Sequence, residues 1–172
     1  MPTGYCRLGY GLGGQSTSPG IDQLRNKIKA RYPDLDVPPP FSGNDEGQVV
    51  KDIMAQPKEM PIIIGGYSWD ADNTSLIARA VYPRKIAYLF AIQPSVYYPT
   101  VPIEDNVGEA LCVYNPDWIT TFGLGFQQLK LAPGNKQTKF ALVATHDTHP
   151  DVQFDTKYHD MILASIGSIL GH

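Results

Sequence analysis

The 172-residue sequence has 14 Lys and Arg against 17 Asp and Glu, a net charge of −3, and is 42% hydrophobic. A chain of this length buries roughly 70% of the surface its unfolded form exposes, so residues 1–172 read as one domain with a single core. Its cations are scattered, and the densest group, Arg25, Lys27, Lys29 and Arg31, falls on one helix as a solvated face; nucleic acid and anionic membrane, which call for a clustered basic face, are excluded as main partners.

Residues 5–11 form a candidate first strand, followed by a Gly/Ser-rich loop over 11–20. Ile21, Leu24 and Ile28 recur at helical spacing, which predicts a helix over 21–32 ended by Pro33. After Pro38-Pro39-Pro40, Val49, Val50, Ile53 and Met54 mark a helix over 46–56. The run 60–66 is β-branched and apolar on both faces, which suits a central parallel strand covered by helices on each side. It leads through Tyr67-Ser68 into a helix over 71–81.

Strands are expected over 85–92 and 110–114, with 93–109 between them a cap or binding loop rich in proline. Residues 126–131 and 138–145 flank Pro133-Gly134-Asn135 and read as a hairpin. A helix over 156–170 ends the chain. Strand and helix thus alternate, the pattern of a three-layer α/β sandwich around a mostly parallel sheet.

Gly66-Tyr67-Ser68 lies where a buried strand runs straight into a helix. Such a turn lifts a serine hydroxyl above the sheet edge, and the helix N-terminus offers backbone N–H groups and a positive dipole end to an oxyanion. The bland alternative is a serine that merely caps the helix. The stretch Gly66-Tyr67-Ser68-Trp69 resembles the nucleophile elbow of the α/β-hydrolase superfamily, in its G-Y-S-W esterase and lipase variant. Asp70 stands where that motif has its second glycine, a departure that bears on catalysis more than on fold.

The resemblance implies a trimmed α/β-hydrolase sheet, lacking the strands that ordinarily precede the first one here. It also implies a base and an acid following Ser68 in the order acid, then histidine. All four histidines fall at 146 or later, at His146, His149, His159 and His172. The loop Thr145-His146-Asp147-Thr148-His149-Pro150-Asp151 is where the base belongs; His149 fits the family's pattern better, with His146 the alternative. Asp117, in Asn115-Pro116-Asp117 after a strand, is the candidate acid, although an Asp there also suits a turn that bonds its own backbone; Asp105 is weaker.

Oxyanion donors would be the backbone of Trp69 and of Gly13 and Gly14 in the glycine-rich loop. Tyr67 and Gln15 are assigned to substrate binding, and Phe41, Tyr97 and Tyr98 are further candidates for an apolar acyl site. The glycine loop lacks the G-K-[ST] of a phosphate cradle. His146, Asp147, His149 and Asp151 have metal-ligand chemistry at short spacing, but no further segment completes a set, so neither metal nor cofactor is expected.

Cys6 and Cys112 sit in apolar runs and read as buried free thiols, which favours a reducing compartment. With neither a signal-peptide pattern nor an apolar run of about 20 residues, the expectation is a cytoplasmic protein without stable membrane insertion, homo-oligomerisation left open. The functional expectation is a serine hydrolase that cleaves a small-molecule or lipid-like carboxylic ester or thioester through a Ser-His-Asp triad and an acyl-enzyme. The alternative is a catalytically inactive hydrolase-like binding or assembly protein.

Overall fold

The computed structural model describes residues 2–95, 100–117 and 124–172. Its strands are β1 (Gly4–Gly9), β2 (Leu35–Asp36), β3 (Ile62–Tyr67), β4 (Ile86–Ile92), β5 (Val107–Tyr114) and β6 (Lys139–Ala144). The helices are α1 (Pro19–Arg31), α2 (Glu46–Ala55), α3 (Trp69–Ala80), the short α4 (His149–Val152) and α5 (Thr156–Leu170). The six strands form one sheet in the order β2-β1-β3-β4-β5-β6, with every neighbouring pair parallel.

The sheet has a helical layer on each side. Alternate strand residues feed the two layers, as a period of two requires. Leu8, Ile63, Phe90 and Val113 pack with Ile21, Leu24 and Ile28 of α1 and with Tyr158, Ile162 and Ile166 of α5. Tyr5, Ile62, Ile64, Leu89 and Cys112 pack with Val49 and Ile53 of α2 and with Ala71, Ile77 and Ala78 of α3. Every residue of β1 and of β3 is buried. This double coverage is the physical reason for the unbroken apolar run Ile62-Ile63-Ile64.

Several boundaries move. The first helix starts earlier than its apolar stripe, at Pro19, where a missing N–H costs nothing. The hairpin expected around Pro133-Gly134-Asn135 does not form. Instead β6 pairs in parallel with β5, and residues 126–131 contribute only an isolated bridge, Leu131 to Ile103. The turn is tied elsewhere: Asn135 Nδ2 donates to the Ile103 carbonyl at 2.9 Å, and Thr138 Oγ1 to the Val107 carbonyl at 2.7 Å. These bonds hold the incoming strand beside the start of β5, so both strands run the same way.

The chain builds outward from β1 to β2, then returns to start β3 on the other side of β1. Such a reversal leaves a crevice beyond the carboxyl ends of the strands, where open α/β sheets place their ligands. The segments that follow β1, β3, β4 and β6 all emerge at that edge.

Candidate active site

Three strand ends converge on one imidazole. Ser68 ends β3 and starts α3 with φ 55° and ψ −120°. That conformation is strained for a residue with a Cβ, and it is held by Ser68 N–H donating to the Ile92 carbonyl at 3.0 Å. Gly66 is indispensable here: a Cβ on it would lie 2.3 Å from the Asp70 carbonyl oxygen, because α3 turns back directly over the strand. The loop after β6 carries His149, the first residue of α4, to Ser68. Its Nε2 is 2.9 Å from Ser68 Oγ. Both residues are buried.

The third strand end was not anticipated. Gln93, immediately after β4, places Oε1 2.8 Å from His149 Nδ1. It is fully buried and has φ 45°. Among the described residues, Ser68 and Gln93 are the non-glycine residues with positive φ, and they are the two that meet the two ring nitrogens of His149. Asp117, the expected acid, is not brought to the imidazole; its N–H donates at 2.8 Å to Asn115 Oδ1 in the turn after β5. Asp105 precedes β5, at the opposite edge of the sheet. His146 is exposed and is not the residue that meets Ser68.

Burial pushes the His149 imidazole down to about 4, with no neighbouring charge contributing. Its ring is therefore neutral across the physiological range. Tyr67 stacks on it with centroids 5.0 Å apart, and the phenol donates to the His149 carbonyl at 2.6 Å. Tyr67 thus faces the site mainly as the bed on which the histidine lies. A cavity of about 280 Å³ opens over Ser68 and His149, walled by Leu12, Thr17, Tyr67, Leu124 and Pro150.

The glycine loop approaches the serine at Gly11, two residues before Gly13. A Cβ on Gly11 would stand 3.0 Å from Ser68 Cβ, and Gly11 and Leu12 line the cavity over the serine. Gly13 and Gly14 line a neighbouring cavity of about 270 Å³ instead, with Ser42, Asn44, Trp69 and Asp70. Gly14 N–H donates to the Gly11 carbonyl at 3.0 Å and so is not turned to the serine. Gly11 N–H is held by Ser18 Oγ at 2.8 Å, whereas the Leu12 amide meets no partner among the described residues. Trp69, first residue of α3, precedes any carbonyl its own helix could offer it. Gln15 is exposed, with its amide donating to Asp22 Oδ2 at 2.9 Å, so the structure separates it from the site.

Asp70 fits at the crowded turn because the residue facing it on β1 is a glycine, Gly9. A Cβ on Gly9 of β1 would come within 2.4 Å of Asp70 Cβ and 2.8 Å of the Phe41 ring. Phe41 is thereby a buried packing residue beside the Ser68 turn, and Tyr97 and Tyr98 lie outside the described residues. Asp70 Oδ1 accepts from Asn73 Nδ2 at 2.8 Å, while Oδ2 is buried without a partner among the described residues. Burial above all, opposed by the hydrogen bond from Asn73 and joined by smaller pushes from Asp45 and Glu46, raises this carboxyl to about 7.

The carboxylates of the loop are engaged locally, Asp147 with Thr145 Oγ1 at 2.9 Å and Asp151 with Thr148 Oγ1. Among the described residues no group of three His, Cys, Asp or Glu is placed to hold a metal. No helix is long and apolar enough to cross a membrane among them either.

No family model matches the sequence, and no curated protein matches it significantly. Solved structures do resemble the fold. Dienelactone hydrolase from Anabaena variabilis superposes with a TM-score of 0.62 at 12% identity, over 97% of this chain and 87% of that one. A cutinase-like protein from Cryptococcus sp. gives 0.58 at 17% identity, over 99% and 96%. A putative hydrolase from Pectobacterium atrosepticum gives 0.54 at 14%, over 97% and 92%. With its parallel sheet, its flanking helices and a serine at the β3–α3 turn, the chain has the fold of the α/β-hydrolase superfamily.

Proposed function

We propose that this chain is a serine hydrolase that cleaves a small carboxylic ester or thioester through an acyl-enzyme on Ser68. The observation that carries the reading is the 2.9 Å contact between Ser68 Oγ and His149 Nε2 at a strained strand-to-helix turn. Neutral His149 takes the Ser68 proton as Oγ attacks the acyl carbon, then returns it to the leaving group as the C–O or C–S bond breaks. Water, deprotonated by the same ring, releases the acid. The amides of Trp69 and Leu12 are suited to the oxyanion, one at a helix start and the other on the facing loop.

Leu12, 58% exposed, and Leu124 give the cavity an apolar mouth, which suits a small or lipid-like acyl group. Cys6 and Cys112 are buried free thiols, in keeping with work in a reducing compartment such as the cytoplasm. Labelling with a fluorophosphonate tests the reading: the folded wild type is expected to be modified at Ser68 and Ser68→Ala to remain unlabelled. Equal labelling of the two, or none in the wild type, excludes it.

One observation favours the second reading, a hydrolase-like scaffold that binds without turnover: the group on His149 Nδ1 is an amide, not a carboxylate. Ester turnover that disappears in both Ser68→Ala and His149→Ala would set that alternative aside.

A further inference from the structure

We propose that Gln93 stands where a serine-hydrolase relay has its carboxylate, fixing the reactive tautomer of His149 without lending it charge, and that the site consequently favours electrophilic acyl substrates: aryl esters, enol esters or thioesters. The proposal rests on the serine-hydrolase reading above and specifies the substrate class of that site.

The sense of the Gln93 amide is set by its other end. Nε2 donates at 3.0 Å to the Asp147 carbonyl, which can only accept. Oε1 therefore faces His149 Nδ1, which must carry the hydrogen, and Nε2 of the ring is left with its lone pair toward Ser68. An amide turned the other way would donate to Nδ1 and enforce the unreactive tautomer, a defect worth about 10⁴ in kcat in the Ser-His-Asp proteases. The side chain has little freedom to turn. Gln93 N–H donates to the Val113 carbonyl at 2.6 Å, and a Cβ on Gly125 would fall 2.5 Å from Gln93 Oε1.

Charge is what this relay lacks. Asp147 and Asp151, on the histidine's own loop and helix, turn their carboxylates to Thr145 and Thr148. From β3 the ring meets the neutral phenol of Tyr67, from β4 the Gln93 amide, and from α3 the Ser68 hydroxyl. The end of β5 offers the Asn115 amide, spent on the Asp147 carbonyl at 2.9 Å.

When Ser68 Oγ bonds to the acyl carbon, its proton moves to His149 Nε2 and the carbonyl π pair becomes the oxyanion. The imidazolium so formed is steadied at Nδ1 by a dipole alone. Attack is therefore the costly step, and the substrate must supply the electrophilicity. Departure is easy by comparison, because the protonated ring is a strong acid: the C–O or C–S pair leaves and takes the proton from Nε2.

The test is kcat and kcat/KM against pH for aryl and alkyl esters of graded leaving-group acidity, in wild type, Gln93→Glu and Gln93→Leu. Wild type is expected to hold its activity down to about pH 4 and to depend steeply on the leaving group. Gln93→Glu should move the acid limb up by roughly one to three pH units, as an adjacent opposite charge does, and gain about tenfold or more on alkyl esters. Gln93→Leu should lose about 10²-fold in kcat with KM little changed. Should the buried glutamate prevent folding, proton NMR decides: a downfield Nδ1–H signal present in Ser68→Ala and absent in Gln93→Leu supports the relay.

A wild-type acid limb near the ordinary imidazole value, an unmoved limb in folded Gln93→Glu, full kcat in Gln93→Leu, or the Nδ1–H signal persisting there overturns the proposal. Fluorophosphonate labelling tells the two failures apart. A labelled wild type with any of those results sinks the neutral relay alone, and an unlabelled one sinks the hydrolase reading with it.

Discussion

After β3 and again after β4 the chain turns through a non-glycine residue of positive φ, 55° at Ser68 and 45° at Gln93, and both side chains land on His149. Both turns share one support, an N–H donated to the neighbouring strand, from Ser68 to the Ile92 carbonyl and from Gln93 to the Val113 carbonyl, and differ in the rest. The first runs into α3, whose backbone passes within reach of Gly66, and the N–H groups of Ala71 and Asp72 donate to the Ser68 carbonyl. The second runs into Pro94 and Ser95, which are not helical. It is held from outside, by Val113 on the next strand, by Gly125 and by the Asp147 carbonyl. A turn secured by its own neighbours leaves a mark in the sequence, and one secured by distant contacts does not.

The largest effect that bears on this comparison is catalytic. Ser68→Ala is expected to lower kcat by about 10⁴-fold or more, and adding Gln93→Leu to it should cost nothing further, because Gln93 acts only through the serine–histidine pair. Ester kinetics on the two single variants and the double one check this; additive losses would mean that the second turn has a role of its own. Next comes packing beneath the first turn. Gly9→Ala should destabilise by about 3 kcal/mol, since its Cβ would overlap Asp70 and Phe41. Asp70→Gly should recover most of that loss, a coupling of about 1–3 kcal/mol measurable by denaturant titration of the double-mutant cycle.

Strain gives a smaller effect. Ser68→Gly is expected to stabilise the inactive protein by about 1 kcal/mol, because glycine accepts φ 55° without penalty. Gln93→Gly should give no such gain, since it also loses the bonds to His149 and Asp147. Equal stabilisation of the two, read as Tm, would erase the distinction between a locally and a remotely secured turn.

The smallest effect is the pH dependence contributed by Asp70. Its carboxyl is raised to about 7 in the folded state, so between the ordinary carboxylate range and pH 7 the folded form binds more protons than the unfolded one. Stability from this group falls as pH rises through that window. Asp70→Asn should therefore gain in Tm over wild type as pH goes from about 4 to about 7, and a difference independent of pH would contradict it.

Much of this was legible in the sequence for a physical reason that can be stated residue by residue. Ile62, Ile63 and Ile64 are apolar in succession because β3 is covered on both faces, and the glycine at 66 stands where α3 leaves no room for a side chain. His149 was marked by its place after the last strand. Gln93 was not marked, because an amide carries no charge to look for and its loop contacts lie 20 to 54 residues away in sequence. One signal was present: like Ser68, it is the first polar residue after a wholly apolar strand, Ile86–Ile92. In the glycine-rich loop, Gly13 and Gly14 advertise flexibility in the sequence, while Gly11 supplies the close approach to Ser68. The false hairpin has the same origin: Pro133-Gly134-Asn135 reports a turn, but the partner strand is chosen by Ile103 and Val107.

The Asp147 carbonyl accepts from both Gln93 and Asn115, and it sits two residues before His149 on the same loop. The His149 imidazole and the grip on the amide that meets it are therefore delivered by one short piece of chain. Displacing that loop would move the imidazole and remove one of the bonds that hold the Gln93 amide in its sense, while the Val113 carbonyl would still hold the Gln93 backbone.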